Sequence, residues 1–252
     1  MSGHSKWSQI KHKKSLTDAK KGQLFSKLVR EIMVAARNAG PNQETNARLR
    51  QSIERARSQG LPKDNIERAI ERANGAGEGA ELQEFLYEAT APKGIAIIIE
   101  GITDNKNRTL AEIKHLLNEH GAKLAESGSL LWGFDKIGWL EIGTEDNPDK
   151  KQDEIELAFI DAGATDFKYL DGAKNSPNFG DGVWLVETNF AELEKTKQKL
   201  EKAGIKIKET GYDYKTRLPL DLRGEERNAI EKLLNELSEQ SDVQKVYTNL
   251  KL

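Results

Sequence analysis

The sequence predicts an α+β protein of several domains: a helical N-terminal domain, a discontinuous α/β domain, and a further domain inserted into the second. Three observations carry that expectation. Leu24, Phe25, Leu28, Val29, Ile32 and Ala36 fall on one stripe at the 3.6-residue period of an amphipathic helix. Between residues 138 and 210 the hydrophobic patterns follow the order βαββαβ, the ferredoxin-like split pattern. The tail, 212–252, offers one helix and one strand with no core of its own, and most simply completes the domain that begins at residue 82.

Taken in order, residues 2–20 hold only Trp7, Ile10 and Leu16 as large apolar groups, too few to offset the entropy of ordering, so a flexible arm is expected. From about residue 18 the pattern turns helical, and Gly40-Pro41 ends that helix. On a helical wheel Lys27, Arg30 and Arg37 fall opposite the apolar stripe, which predicts that they stay solvated. A second helix covers 45–58 with Leu49, Ile53 and Ala56 inward and stops at Gly60. A third starts at Pro62, where proline suits a first turn, and ends near Asn74-Gly75. Arm and helices make a first domain, 1–75. The stretch GAGEGAE reads as a linker.

FLYEATA and GIAIIIEGI, joined by Pro92-Lys93-Gly94, read as paired strands because β-branched residues dominate and the Pro/Gly punctuation suits a turn. A helix follows, opened by TDNKNRT, carrying Leu110, Ile113, Leu116 and Leu117, and closed by Gly121. SLLWGF resumes strand character. The inserted domain, 137–210, runs strand WLEI, helix 153–162, strands FKYL and VWLVET, helix 190–203 and strand IKIKET. A helix over 222–237 and the strand DVQKVYTNL then return to the second domain, 82–136 plus 212–252.

Net charge is only -2, but its distribution is uneven. Residues 1–75 hold 16 Lys and Arg against 7 Asp and Glu, a balance of +9, and the rest of the chain holds 23 against 34, a balance of -11. Such a dipole points to polyanion binding by one end. Apolar residues at 37% suffice to build cores. The absence of cysteine excludes disulfides, thiolate catalysis and Cys-based zinc sites. The longest apolar run, GIAIIIEGI, is far too short to span a bilayer, and the first residues lack an apolar signal core, so the cytoplasm is the expected compartment and no membrane partner is expected. GxxxxGK[ST], GxSxG and HExxH are all missing. His115 and His120 lie five apart on a helix and diverge around its axis, and GAGEG follows a helix where a dinucleotide fingerprint follows a strand. Neither catalysis nor a metal or other cofactor is expected.

The candidate site is the basic front end. A chain presenting Lys6, Lys11, Lys13, Lys14, Lys20 and Lys21 gains free energy by releasing the counterions condensed on nucleic-acid phosphates. Trp7 can stack on an exposed base, His4 and His12 can bond phosphate, and Lys27 and Arg30 add charge on the first helix. A second candidate is TDNKNRT, where the free N–H groups of a helix start, with Asn105, Asn107 and Arg108, can meet a phosphate. The structural alternative there is that Asn107 or Thr109 simply caps the helix. For the arm the alternatives are a solvated tail, or an anionic membrane or protein surface; the arm is not an amphipathic helix with a broad apolar face, which weighs against the membrane, and an acidic protein partner is the case of an interaction scaffold.

GHSKWSQIKHKK, FSKLVREIMVAAR, LPKDNIERAI, TDNKNRT and DVQKVYTN, in this order, resemble the corresponding blocks of the YebC/PmpR family, which includes a mitochondrial translational activator of cytochrome c oxidase. The likeness runs nearly end to end. It implies three domains and a non-enzymatic regulator of gene expression, a DNA-binding transcriptional regulator. The alternative it implies is a translation factor that binds rRNA and the ribosome and helps synthesis of proline-rich stretches. It also implies contact residues His4, Lys6, Trp7, Lys11, His12, Lys13 and Lys14, with Asn105, Asn107 and Arg108. Because the motif stands at the start of the sequence, no transit peptide is expected, as in bacterial members, and a monomer is the default expectation. One departure concerns the first hairpin: YEATAPKG stands where the family more often shows a YEGYGPGG-like run, and fewer glycines should restrict that turn. Ala39-Gly40 likewise replaces a pair of glycines.

Overall fold

The computed structural model describes residues 18–75, 81–170 and 182–251. In chain order they form α1 (Asp18–Ala39), α2 (Ala47–Ser58), α3 (Lys63–Asn74), β1 (Gln83–Ala91), β2 (Ile95–Thr103), α4 (Lys106–Glu119) and β3 (Lys123–Leu124). There follow β4 (Phe134–Gly143), α5 (Gln152–Ala162), β5 (Asp166–Leu170), β6 (Val183–Asn189), α6 (Leu193–Lys202), β7 (Glu209–Thr216), α7 (Gly224–Glu239) and β8 (Val243–Thr248). The chain divides into two compact units at the 135/136 and 214/215 peptide bonds.

In the helical domain the expected stripe is buried. Leu28 and Ile32 of α1 pack with Leu49 and Ile53 of α2 and Ile66 of α3, each at most 2% exposed. Burying one such side chain stabilises by about 1.5 to 3 kcal/mol. Asn46 fixes the corner between α1 and α2. Its side-chain oxygen accepts the Leu49 N–H at 3.0 Å as the cap of α2, and its amide donates to the carbonyls of Ala35 (2.8 Å) and Gly40 (2.7 Å). Pro62 lies one residue ahead of α3, as its N-cap.

The same unit contains an antiparallel sheet in the order β3-β1-β2-β8. β1 and β2 pair without interruption from Gln83↔Thr103 to Ala91↔Ile95. Ile95, Ile97 and Ile99 turn towards Ile113 and Leu117 of α4 and Leu233, Leu234 and Leu237 of α7, so the chain's tail closes the core that residue 82 opens. β2 and β8 slip register at Glu100/Gly101, and a Cβ at Gly101 would overlap both the Phe85 ring and the Asp242 carbonyl. The β1–β2 turn keeps a left-handed residue despite its fewer glycines: Lys93 adopts φ 66° and ψ 20°, a conformation costing a non-glycine residue about 1 kcal/mol.

The second unit is the ferredoxin-like domain, with strand order β5-β6-β4-β7 and Leu140, Ile142, Phe159, Trp184, Val186 and Leu200 in its core. Two expected strands are displaced. The IKIKET strand begins only at Glu209 and runs to Thr216. The Asn147 side chain takes both backbone groups of Lys206, accepting its N–H at 2.8 Å and donating to its carbonyl at 3.1 Å, and so withdraws that residue from any ladder. In SLLWGF only Phe134 is in a strand, and Leu131–Gly133 form a short 3-10 turn. The cause is Glu88, whose buried carboxylate accepts the N–H groups of Gly128, Leu130 (2.6 Å) and Leu131 (3.0 Å) and winds the backbone around itself.

Candidate nucleic-acid interface

His4, Lys6, Trp7, Lys11, His12, Lys13 and Lys14 lie outside the described residues. Lys20 and Lys21 occupy the first turn of α1 and are exposed. Lys20 makes a 3.0 Å ion pair with Glu239, both side chains more than half exposed, and Lys21 lies 5.6 Å from the centre of the Phe25 ring. Pairs of that exposure contribute little and exchange readily with other partners.

One turn deeper, α1 departs from expectation. Lys27 and Arg30 do point away from the stripe of their own helix, but they meet the end of α7. Lys27 Nζ donates to the Ser238 carbonyl at 2.7 Å, at the electronegative end of that helix. Burial, reinforced by the positive charge of Arg30, lowers the Lys27 pKa from 10.5 to about 8, against the opposing pull of Glu239 and Asp242. Arg30 Nη1 donates to the Ser241 carbonyl at 2.9 Å and to Asp242 Oδ1 at 2.6 Å. The expectation that these two side chains stay solvated is therefore corrected. A helical wheel shows which residues leave a helix's own stripe; it carries nothing about a second domain docking there.

The TDNKNRT loop converges on the same carboxylate. Arg108 Nη2 donates to Asp242 Oδ2 at 2.9 Å and to Asp104 Oδ1 at 2.6 Å, and the Thr109 and Thr103 hydroxyls reach Oδ2 at 2.6 and 3.1 Å. Only 1% of the Asp242 side chain is exposed. Burial pushes its carboxyl up, but the bonds from Thr109, Arg108, Arg30 and Thr103 together outweigh burial and hold the pKa at about 2. The cap of α4 is Asn105, whose Oδ1 accepts the Arg108 N–H at 3.0 Å; neither Asn107 nor Thr109 fills that role, and Asn107 is exposed. At this helix start, then, one anchor for a phosphate is a cap and the other already hydrogen-bonds two carboxylates, with a third, Glu112, 3.8 Å from its Nε.

Asp242 was invisible to sequence reasoning. It lies 212 and 134 positions from Arg30 and Arg108, and only the return of the tail to the first sheet brings the three together. Among the described residues, the exposed cations of the helical domain are Lys20, Lys21, Arg37, Arg48, Arg57, Lys63, Arg68 and Arg72, with Arg48 paired to Glu84. Away from this surface, His120 Nε2 pairs with Glu236 at 2.8 Å, and among the described residues no group of His, Asp or Glu is arranged to hold a metal ion. No described helix is long and apolar enough to cross a membrane.

A basic helical module docked through ion pairs onto a discontinuous α/β domain, with a ferredoxin-like insertion, defines a three-domain α+β architecture. Comparison with known proteins gives that architecture a family. Residues 5–76 match the model of the TACO1/YebC protein N-terminal domain, and residues 82–250 match that of the TACO1/YebC second and third domain. The chain is 43% identical over 252 residues to a "Probable transcriptional regulatory protein" of Thermotoga maritima, covering 100% of this chain and 94% of the relative. It is 44% identical over 250 residues to a protein of the same name from Thermomicrobium roseum, covering 99% and 96%. A crystal structure of a "conserved hypothetical protein" from Aquifex aeolicus superposes with a TM-score of 0.82 at 39% identity, covering 98% of this chain and 97% of that one. The chain belongs to the TACO1/YebC family, and the relatives from Thermotoga maritima and Thermomicrobium roseum are each named a probable transcriptional regulatory protein.

Proposed function

We propose that this protein is a nucleic-acid-binding regulator of gene expression, a DNA-binding transcriptional regulator of the YebC/PmpR type with no catalytic role. The contact is made by His4, Lys6, Trp7, Lys11, His12, Lys13 and Lys14, continued by Lys20 and Lys21 on α1. The observation that carries this reading is the charge separation: +9 in residues 1–75 against -11 in the rest of the chain. The protein works as a monomer, and its acidic domains orient it or bind proteins.

An RNA target, rRNA at the ribosome, is the second reading. One observation favours it: Lys27 and Arg30 are engaged with α7 and Asp242, so α1 cannot offer them to a major groove as a recognition helix does. A cationic segment grips structured or single-stranded RNA as readily as duplex DNA.

The experiment is a salt titration of binding to duplex DNA and to single-stranded RNA, with Lys11, Lys13 and Lys14 replaced together by Ala. The slope of log affinity against log salt should flatten by about 2 to 3, at roughly 0.9 per lost phosphate contact on duplex and 0.7 on single strands. An unaltered slope removes the arm from the site. Crosslinking in cells with sequencing of the bound nucleic acid separates the two targets, as promoters or as rRNA. Partners that persist unchanged after nuclease treatment would point instead to a protein scaffold.

A further inference from the structure

We propose that Trp132 is a stacking platform for one unpaired nucleobase, with Arg217 beside it for the adjoining phosphate. This rests on the nucleic-acid reading above and adds a second contact, on the discontinuous domain. Trp132 is 65% exposed, whereas Trp139 and Trp184 are 5% and 3% exposed and serve cores. An exposed indole is ordinarily a mobile one. This one is held: its Nε1 donates to the Ser129 carbonyl at 2.7 Å, and the backbone just before it is fastened to Glu88 by the N–H groups of Gly128, Leu130 and Leu131. Glu88 is 2% exposed, so the clamp is itself a buried, charge-assisted one.

Two consequences follow for what the ring can bind. Its single hydrogen-bond donor is already used, so it offers a π face without a directional polar demand, which suits any base. Its ordering cost is met within the folded chain, so a ligand that stacks there loses little additional side-chain freedom.

The surroundings distinguish a nucleotide from a protein partner. The Arg217 N–H donates to the Gly133 carbonyl at 2.8 Å, which places Arg217 opposite the residue that follows Trp132. Arg217 Nε bonds Asp135 Oδ1 at 2.9 Å, in a pair more than half exposed, and Lys215 adds its field to the same carboxylate. An exposed pair of this kind can yield its arginine to a phosphate. Leu218, at 58%, is the other exposed large apolar side chain of the stretch. One indole and one leucine among charges are far short of the roughly 800 Å² that a stable protein interface covers on each partner, but they match the footprint of a single base.

The test uses the full chain and a labelled single strand of thymidylate or uridylate about 12 nucleotides long, with a duplex of equal length as control. Trp132→Ala should weaken single-strand binding about tenfold and duplex binding by less than about threefold, while Trp132→Phe stays within about threefold of the parent. In a Trp7→Phe background the fluorescence of Trp132 should be quenched as the strand saturates, while the buried Trp139 and Trp184 are not reached, a readout that needs no change at position 132. Parent-like single-strand affinity of Trp132→Ala, or saturation without quenching, overturns the platform. Failure of the reading beneath it looks different: an intact chain that binds neither strand nor duplex at low salt overturns both, whereas Lys11, Lys13 and Lys14 to Ala without effect, beside a tenfold loss at Trp132, removes the arm and leaves the platform standing.

Discussion

Replacing Asp242 with asparagine keeps the shape of the side chain and removes the one charge to which Arg30 and Arg108 both converge. Each hydrogen bond to a charged group contributes about 1.5 to 3 kcal/mol, and breaking a fully buried pair costs about 3 to 5 kcal/mol. Here the carboxylate is buried but the Arg30 and Arg108 side chains are 27% and 44% exposed, so the stranded guanidinium groups regain water. The expected loss is therefore about 3 kcal/mol, the lower end for a buried pair. A chain of several domains need not unfold in one step, so the suitable assay is native-state amide exchange read along α1. Asp242→Asn should speed exchange of the inner α1 amides about a hundredfold, while the ferredoxin-like domain is unaffected. Arg30→Met should speed the same amides less, and the double variant should show a coupling of at least about 1 kcal/mol. Acid adds a second signature. The Asp242 carboxyl is held at about 2 against an ordinary 3.8, so its stabilisation is fully present above about pH 4 and is lost as pH falls towards 2. That limb, about 2 kcal/mol, should vanish in Asp242→Asn. An α1 exchange rate changed less than tenfold, or strict additivity with Arg30→Met, would refute the hub.

Two further outcomes follow from the same geometry. Lys27 binds its proton less tightly folded than unfolded, so stability should rise between pH 8 and 10.5, and thermal midpoints of Lys27→Met should lack that rise. Glu88→Gln should cost about 2 to 3 kcal/mol in denaturant unfolding and accelerate exchange at Gly128, Leu130 and Leu131, because an amide oxygen cannot serve three N–H donors as a carboxylate does.

The legible part of the fold was what near neighbours decide. The stripe from Leu24 to Ala36, the isoleucine run of β2 and the βαββαβ order are local periodicities, and the structure keeps all three. The errors share a cause. Strand character in SLLWGF was overruled by Glu88, some 40 residues away, and the solvation expected of Lys27 and Arg30 was overruled by a turn more than 200 residues away. At Lys93 the reverse holds: sheet register imposes a left-handed turn whatever residue stands there. A single buried polar group drawing distant backbone or cations to itself leaves no periodic trace, because its partners need only the right chemistry and not a spacing.

That asymmetry bears directly on how much charge the molecule can present. Lys6, Lys11, Lys13, Lys14, Lys20 and Lys21 are six cations ahead of the hub, and if all of them meet phosphates of a duplex, log affinity falls against log salt with a slope of about 5. Were Lys27, Arg30 and Arg108 also to reach phosphate, the slope would approach about 8, but each would first have to leave Ser238, Asp104 or Asp242. Salt titration of the unmodified protein on duplex DNA therefore reports on the hub as well as on binding. A slope at or below about 5 is expected, unchanged in Arg108→Gln. A slope near 8 that drops by about one unit in Arg108→Gln would mean that nucleic acid displaces Asp242, and that the helical domain is held by an ion pair its ligand can break.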